Sequence, residues 1–213
     1  MGRDKDFDGK VIALTGGASG IGLATSKILH ARGASISIGD IDQAALDNAA
    51  SLLKDEGSGR VMLTRLDVTN RNAVDTWIGS TVERFGKLDG AANCAGVIGK
   101  HHGTRKVEEL EDDQWDLIVS CGETGSRACS GSNPLTSILQ IGVNLTGMMY
   151  SLRAELQAIK GPGSVVCVGS VQGTMGFAKH AAYVASKHGV HGLVRSAAKE
   201  VGERKIRVNI VAP

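Results

Sequence analysis

Between a β-branched run, Lys10–Leu14, and a helix-patterned stretch, Ile21–Arg32, the chain reads Thr15-Gly16-Gly17-Ala18-Ser19-Gly20-Ile21-Gly22. Few folds need so many glycines at a strand-to-helix junction. A residue without a Cβ lets the backbone turn sharply and lets another group approach it closely. A helix opening on such a turn keeps its first N–H groups free and its positive dipole end exposed, which suits a phosphate. A glycine-rich turn alone says little. Placed after the first strand of an alternating chain, it predicts a phosphate-cradling βαβ unit.

The alternation continues. Strand-like segments recur at Ser35–Ile38, Val61–Leu66, Gly90–Asn93, Ser164–Val168 and Arg207–Val211, with helix-like stretches at Asp42–Glu56, Asn70–Gly86 and Ala181–Val201. In Asn70–Gly86, Val74, Trp77, Ile78, Val82 and Phe85 fall on one helical face. Strands alternating with helices predict an α/β fold, a doubly wound parallel sheet of Rossmann type covered on both faces. A length of 213 residues fits one such domain, residues 1–213. Aromatic residues make up only 3% and the net charge is +2, which leaves neither stacking platforms nor a basic field for nucleic acid.

One stretch breaks the pattern. After Trp115-Asp116-Leu117-Ile118, residues 119–140 are Gly/Ser-rich and aperiodic, and helical text resumes at Ile141-Gly142-Val143-Asn144. An active-site flap, a disordered insertion and a translated retained intron all fit. The third is favoured: Val119-Ser120 is encodable as a splice-donor-like start and Leu139-Gln140 as an acceptor-like end. Removing residues 119–140 joins Asp-Leu-Ile to Ile-Gly-Val-Asn as one continuous helix.

Tyr183 and Lys187 stand four apart, on one helix face. An ammonium near a phenol favours the phenolate and makes the tyrosine a usable proton donor and acceptor near neutrality. Asp40 follows the second strand. A carboxylate there accepts from both ribose hydroxyls of an adenosine and repels a 2′-phosphate, predicting NAD over NADP. Its alternative role is to cap the Asp42–Glu56 helix.

The remaining candidates read as structural. Cys94, Cys121, Cys129 and Cys167 lack ligand or disulfide spacing and read as reduced thiols of a cytosolic protein, with no metal site expected. His188 and His191 are expected on an outward or interface helix face; His101-His102 could line the site mouth, but a solvated loop is the favoured reading. The charged start is neither a secretory signal nor a complete myristoylation motif, and no apolar run reaches membrane-spanning length, so a cytoplasmic location is expected. Asn144-Leu145-Thr146 matches a glycosylation sequon but lies in helical text.

Taken together, Thr15–Gly22, Asp67-Val68, Asn93-Cys94-Ala95-Gly96, Asn144, Ser170, Tyr183/Lys187 and Arg207–Pro213 resemble the short-chain dehydrogenase/reductase family, in the family's order. The resemblance spans the chain except residues 119–140. It implies hydride transfer between NAD(P) and a secondary alcohol or ketone. Tyr183 would be the general acid/base, Lys187 its pKa-lowering partner and a ribose contact, Ser170 the holder of the substrate oxygen, and Asn144 the support of a water-linked proton relay. Gly16, Ser19, Gly20, Ile21 and Gly22 would line the pyrophosphate turn, Asp40 the adenosine ribose, Asp67 and Val68 the adenine, and Asn93 and Gly96 the cofactor ribose. A homodimer or homotetramer acting on a small molecule is the family expectation, with no nucleic-acid or membrane partner.

Family members continue for several dozen residues past the proline that ends this chain. On that comparison the last strand is missing and Arg207–Val211 forms a sheet edge. The alternative to a working oxidoreductase is therefore a catalytically impaired, cofactor-binding chain.

Overall fold

The computed structural model describes residues 6–53, 59–98, 102–110 and 142–213. The 119–140 segment and Trp115–Ile118 lie outside the described residues. Strand β1 (Val11–Thr15) leads into helix α1 (Gly20–Ala31), followed by β2 (Ser35–Asp40), α2 (Gln43–Leu53), β3 (Val61–Arg65), α3 (Arg71–Phe85) and β4 (Gly90–Asn93). A π-helical turn, Gly142–Gly147, runs directly into α4 (Met148–Ala158). Then come β5 (Gly163–Val168), a 3-10 turn (Val171–Gly173), α5 (Ala181–Glu200) and β6 (Ile206–Val211).

The six strands form one sheet in the order β3-β2-β1-β4-β5-β6, every neighbouring pair parallel. This is the predicted doubly wound Rossmann-type arrangement, with all six predicted strands present and β6 on an edge. Parallel strands cannot be joined by tight hairpins, so helices cross over and cover both faces. That burial explains why β1, β2 and β4 carry almost unbroken small or aliphatic text.

Two apolar cores result. Under α1 and α2 lie Leu14, Ile36, Ile38, Leu46 and Leu53. Under α3, α4 and α5 lie Trp77, Leu152, Val165, Val190 and Val208. The stripe predicted on α3 is the one observed, with Val74, Trp77 and Ile78 buried. Asn70 caps that helix by accepting from Ala73 N, and Gly86 ends it in the left-handed region at φ 81°. Among the described residues, no helix is long and apolar enough to cross a membrane.

The strand order reverses between β1 and β4. A parallel sheet opens its ligand crevice outside the carboxyl ends of the strands at such a point. The predicted site residues after β1, β2, β4 and β5 therefore fall along one rim.

Candidate active site

The glycine turn after β1 is packed to the limit. A Cβ on Gly16, whose φ is +62°, would lie 2.7 Å from Ala95 N, and one on Gly22 would collide with the Gly16 carbonyl oxygen. The turn thus lies flat between β1 and β4. Ser19 is the N-cap of α1, yet its side chain makes no capping bond, so the helix keeps N–H groups to offer an anion. Ile21 is exposed beside them.

Asp40 ends β2 and is buried. Its Oδ2 accepts from Ala18 N at 3.1 Å and its Oδ1 from Asp42 N at 3.2 Å. The capping role weighed for Asp40 belongs to Asp42, whose carboxylate accepts from Ala44 N and Ala45 N. Asp40 instead fastens the glycine turn to the end of β2. Asp67 is exposed after β3 and holds Thr69 through both its N–H and its hydroxyl, while Val68 is buried beneath Gly147.

Asn93 turns its side chain inward. Its Oδ1 accepts from Thr15 Oγ1 at 3.1 Å and its Nδ2 donates to Glu155 Oε2 at 2.8 Å. Glu155 was not singled out from sequence. It is fully buried on α4, and burial pushes its carboxyl up to about 8, the Asn93 bond opposing this in part. The same burial, with the Glu155 charge nearby, pushes the Cys94 thiol up to about 11 and Cys167 to about 12. Both are protonated packing groups, as expected.

Around helix α5 the predicted residues converge. Lys187 is buried, with Nζ donating to Val168 O at 3.1 Å and lying 5.6 Å from the centroid of the Tyr183 ring. Burial pulls its pKa below the ordinary lysine value. A Cβ on Gly96 would sit 3.7 Å from that Nζ and 3.3 Å from Asn144 Oδ1, so Gly96, Asn144 and Lys187 share one corner.

The Asn144 side chain is already engaged. Oδ1 accepts from Val97 N at 2.8 Å, and Nδ2 donates to Val97 O at 3.0 Å and to Ser186 Oγ at 3.3 Å. It ties the loop after β4 to α5 from within the π-helical turn, a distortion found frequently at functional sites. Buried this way, its sequon is closed to modification.

Ser170 follows β5. Its hydroxyl accepts from Gln172 N at 3.2 Å and donates to Pro213 O at 3.4 Å.

Two histidine expectations need correction. His102 is not simply solvated. Its ring meets Tyr183 edge-on, centroids 5.2 Å apart, and packs against His180 at 3.7 Å. Burial first, then the neighbouring His180, lowers its pKa. The path of the loop, invisible in the sequence, puts it there; His101 lies outside the described residues. His188 does face outward, but His191 is buried, because it lies a further turn along the face that carries Tyr183 and Lys187. That spacing was the available signal. No cluster of potential metal ligands occurs among the described residues.

This geometry has close counterparts. The short chain dehydrogenase family model matches residues 10–213. The short-chain dehydrogenase/reductase ABA4 of Pyricularia oryzae is 47% identical over 205 residues, covering 96% of this chain and 68% of that protein. The crystal structure of levodione reductase superposes with a TM-score of 0.81 at 31% identity, covering 97% of this chain and 72% of that one. NAD+-bound xylitol dehydrogenase superposes with a TM-score of 0.79 at 28% identity, covering 97% and 70%. The chain belongs to the short-chain dehydrogenase/reductase family, oxidoreductases that transfer hydride with a nicotinamide cofactor.

Proposed function

We propose that this chain interconverts a secondary alcohol and its ketone using NAD in preference to NADP, with Tyr183, Lys187, Ser170 and Asn144 as its working residues. One observation carries the reading: a buried lysine ammonium on the same helix face as Tyr183, 5.6 Å from its ring. The flat glycine turn, the unspent N–H groups of α1 and the open rim fit a dinucleotide. The nicotinamide, when bound, supplies or accepts the hydride.

The protein's own work is to move one proton and hold one oxygen. In oxidation, Tyr183 Oη as phenolate takes the hydroxyl proton of the alcohol; in reduction it returns that proton to the ketone oxygen. Lys187 stabilises the phenolate through its charge, and the Val168 carbonyl fixes its position. Ser170 Oγ exchanges its bond to Pro213 O for the substrate oxygen. Asn144 holds the Val97 loop against α5, so that Gly96 stays beside Lys187 and the relay leaves from a fixed corner.

Asp40 supports the NAD preference. Its carboxylate stands at the end of β2 beside the glycine turn, where a 2′-phosphate would meet like charge. The test is dinucleotide reduction with a panel of cyclic and acyclic secondary alcohols, run with NAD+ and with NADP+. The expected result is turnover with kcat/KM at least about tenfold higher for NAD+, narrowed in Asp40→Ala. Equal use of both dinucleotides by the wild type removes the Asp40 argument.

A further inference from the structure

Helix α5 carries Tyr183, Lys187 and His191 at four-residue intervals, so all three lie along one face. The first two belong to the proposed chemistry, and the third has no part in it so far. His191 is 4% exposed, and its ring occupies a slot left by two missing side chains. A Cβ on Gly169 would come 2.8 Å from its Nε2, and one on Gly173 would come 2.5 Å from the same atom. Those two glycines bracket Ser170. The ring therefore packs directly against the backbone on both sides of Ser170.

We infer that His191 is a positioning residue that sets Ser170 relative to Tyr183. The inference rests on reading Ser170 as the group that holds the substrate oxygen.

The serine loop is fastened from two sides. From the sheet side, Gly169 N donates to Val211 O at 2.8 Å and Val171 N to Pro213 O at 3.0 Å. Those bonds fix the loop to β6 and the residues after it, and say nothing of its distance from the helix that carries Tyr183 and Lys187. The His191 ring spans that remaining gap. A larger residue at 169 or 173 would push it out, and a smaller one at 191 would leave the loop to settle inward.

The ring is suited to staying neutral. Burial, and next Arg195, lower its pKa, with the nearby Ser170 backbone opposing them and His188 and Lys187 acting in the same sense as burial. Gly169, Gly173 and the nearby Ile210 bring no charge to it. Its Nε2 has no hydrogen-bond partner among the described residues, so a protonated ring would bury an unpaired N–H.

The test compares the full chain with H191A and H191Q, the second keeping a polar side chain long enough to fill part of the slot. Hydrogen exchange of the 169–174 amides reports the loop without any substrate. Exchange there should quicken about tenfold in H191A and return most of the way in H191Q, with the amides of β1 and β4 unchanged. With NADH and cyclohexanone as probes, kcat should fall about tenfold in H191A while the NADH Kd stays within about twofold. Unchanged exchange at 169–174 in both variants overturns the inference, and so does a loss confined to NADH binding. A loosened loop in a protein whose wild type leaves cyclohexanone untouched supports the His191–Ser170 link and counts against the proposed reaction instead. Should H191A not fold, H191N reads the same exchange segment.

Discussion

The buried carboxyl of Glu155 makes the stability of this protein fall with pH in a way that one substitution isolates. Its pKa is about 8 in the folded chain against 4.5 for an ordinary glutamate. Below 4.5 both folded and unfolded chains hold the proton, and the stabilising difference is fully present. As pH rises from 4.5 to about 8, the unfolded chain releases the proton while the folded core keeps it, so stability is lost progressively. At about 1.4 kcal/mol for each pH unit, that window carries several kcal/mol, a large share of a typical domain's stability.

Glu155→Gln keeps the shape and an amide oxygen to accept from Asn93 Nδ2, now held at 2.8 Å, but has nothing to ionise. Urea midpoints for wild type and E155Q should nearly coincide at pH 5. They should separate steadily toward pH 8, E155Q becoming the more stable by several kcal/mol. Subtracting the two curves removes every other titrating group. Parallel curves across that range would refute the argument, because they would mean that Glu155 ionises as freely in the fold as outside it.

Three further outcomes follow from the packing. Gly22→Ala drives a methyl into the Gly16 carbonyl, so it should cost about 1–3 kcal/mol in thermal unfolding and weaken NADH binding measured by fluorescence. Trp77→Ala empties the largest fully buried site in the core, and denaturant unfolding should show a loss of about 3–5 kcal/mol. His102→Ala removes the ring edge-on to Tyr183; steady-state kinetics should show KM for the ketone rising by more than the Kd for NADH.

Much of this was legible in the text of the chain. Strands buried on both faces carry short runs of small and aliphatic residues, so Ser35–Ile38 and Gly90–Asn93 stand out between helical stretches, the structure carrying the first on to Asp40. The glycine turn was equally plain, since only missing side chains permit the approach of Gly16 to Ala95. What escaped depends on where side chains turn. Asn93 sits at a site-like strand end, yet alternation along β4 sends its amide into the core toward Glu155. Glu155 itself gave a signal: it lies seven residues after Met148 and three after Leu152, on the buried stripe of α4 where a charge is out of place. His191 gave another through its spacing from Lys187. His102 gave none, because loop paths are not periodic.

The central claim is that Tyr183, poised by Lys187, moves the proton that accompanies hydride transfer. Single-turnover oxidation of a productive secondary alcohol by NAD+, compared between wild type and Tyr183→Phe, tests it most directly. NADH should appear about 10²–10⁴-fold more slowly in the variant, with NADH binding within about twofold of wild type. Equal rates in the two proteins would contradict the account.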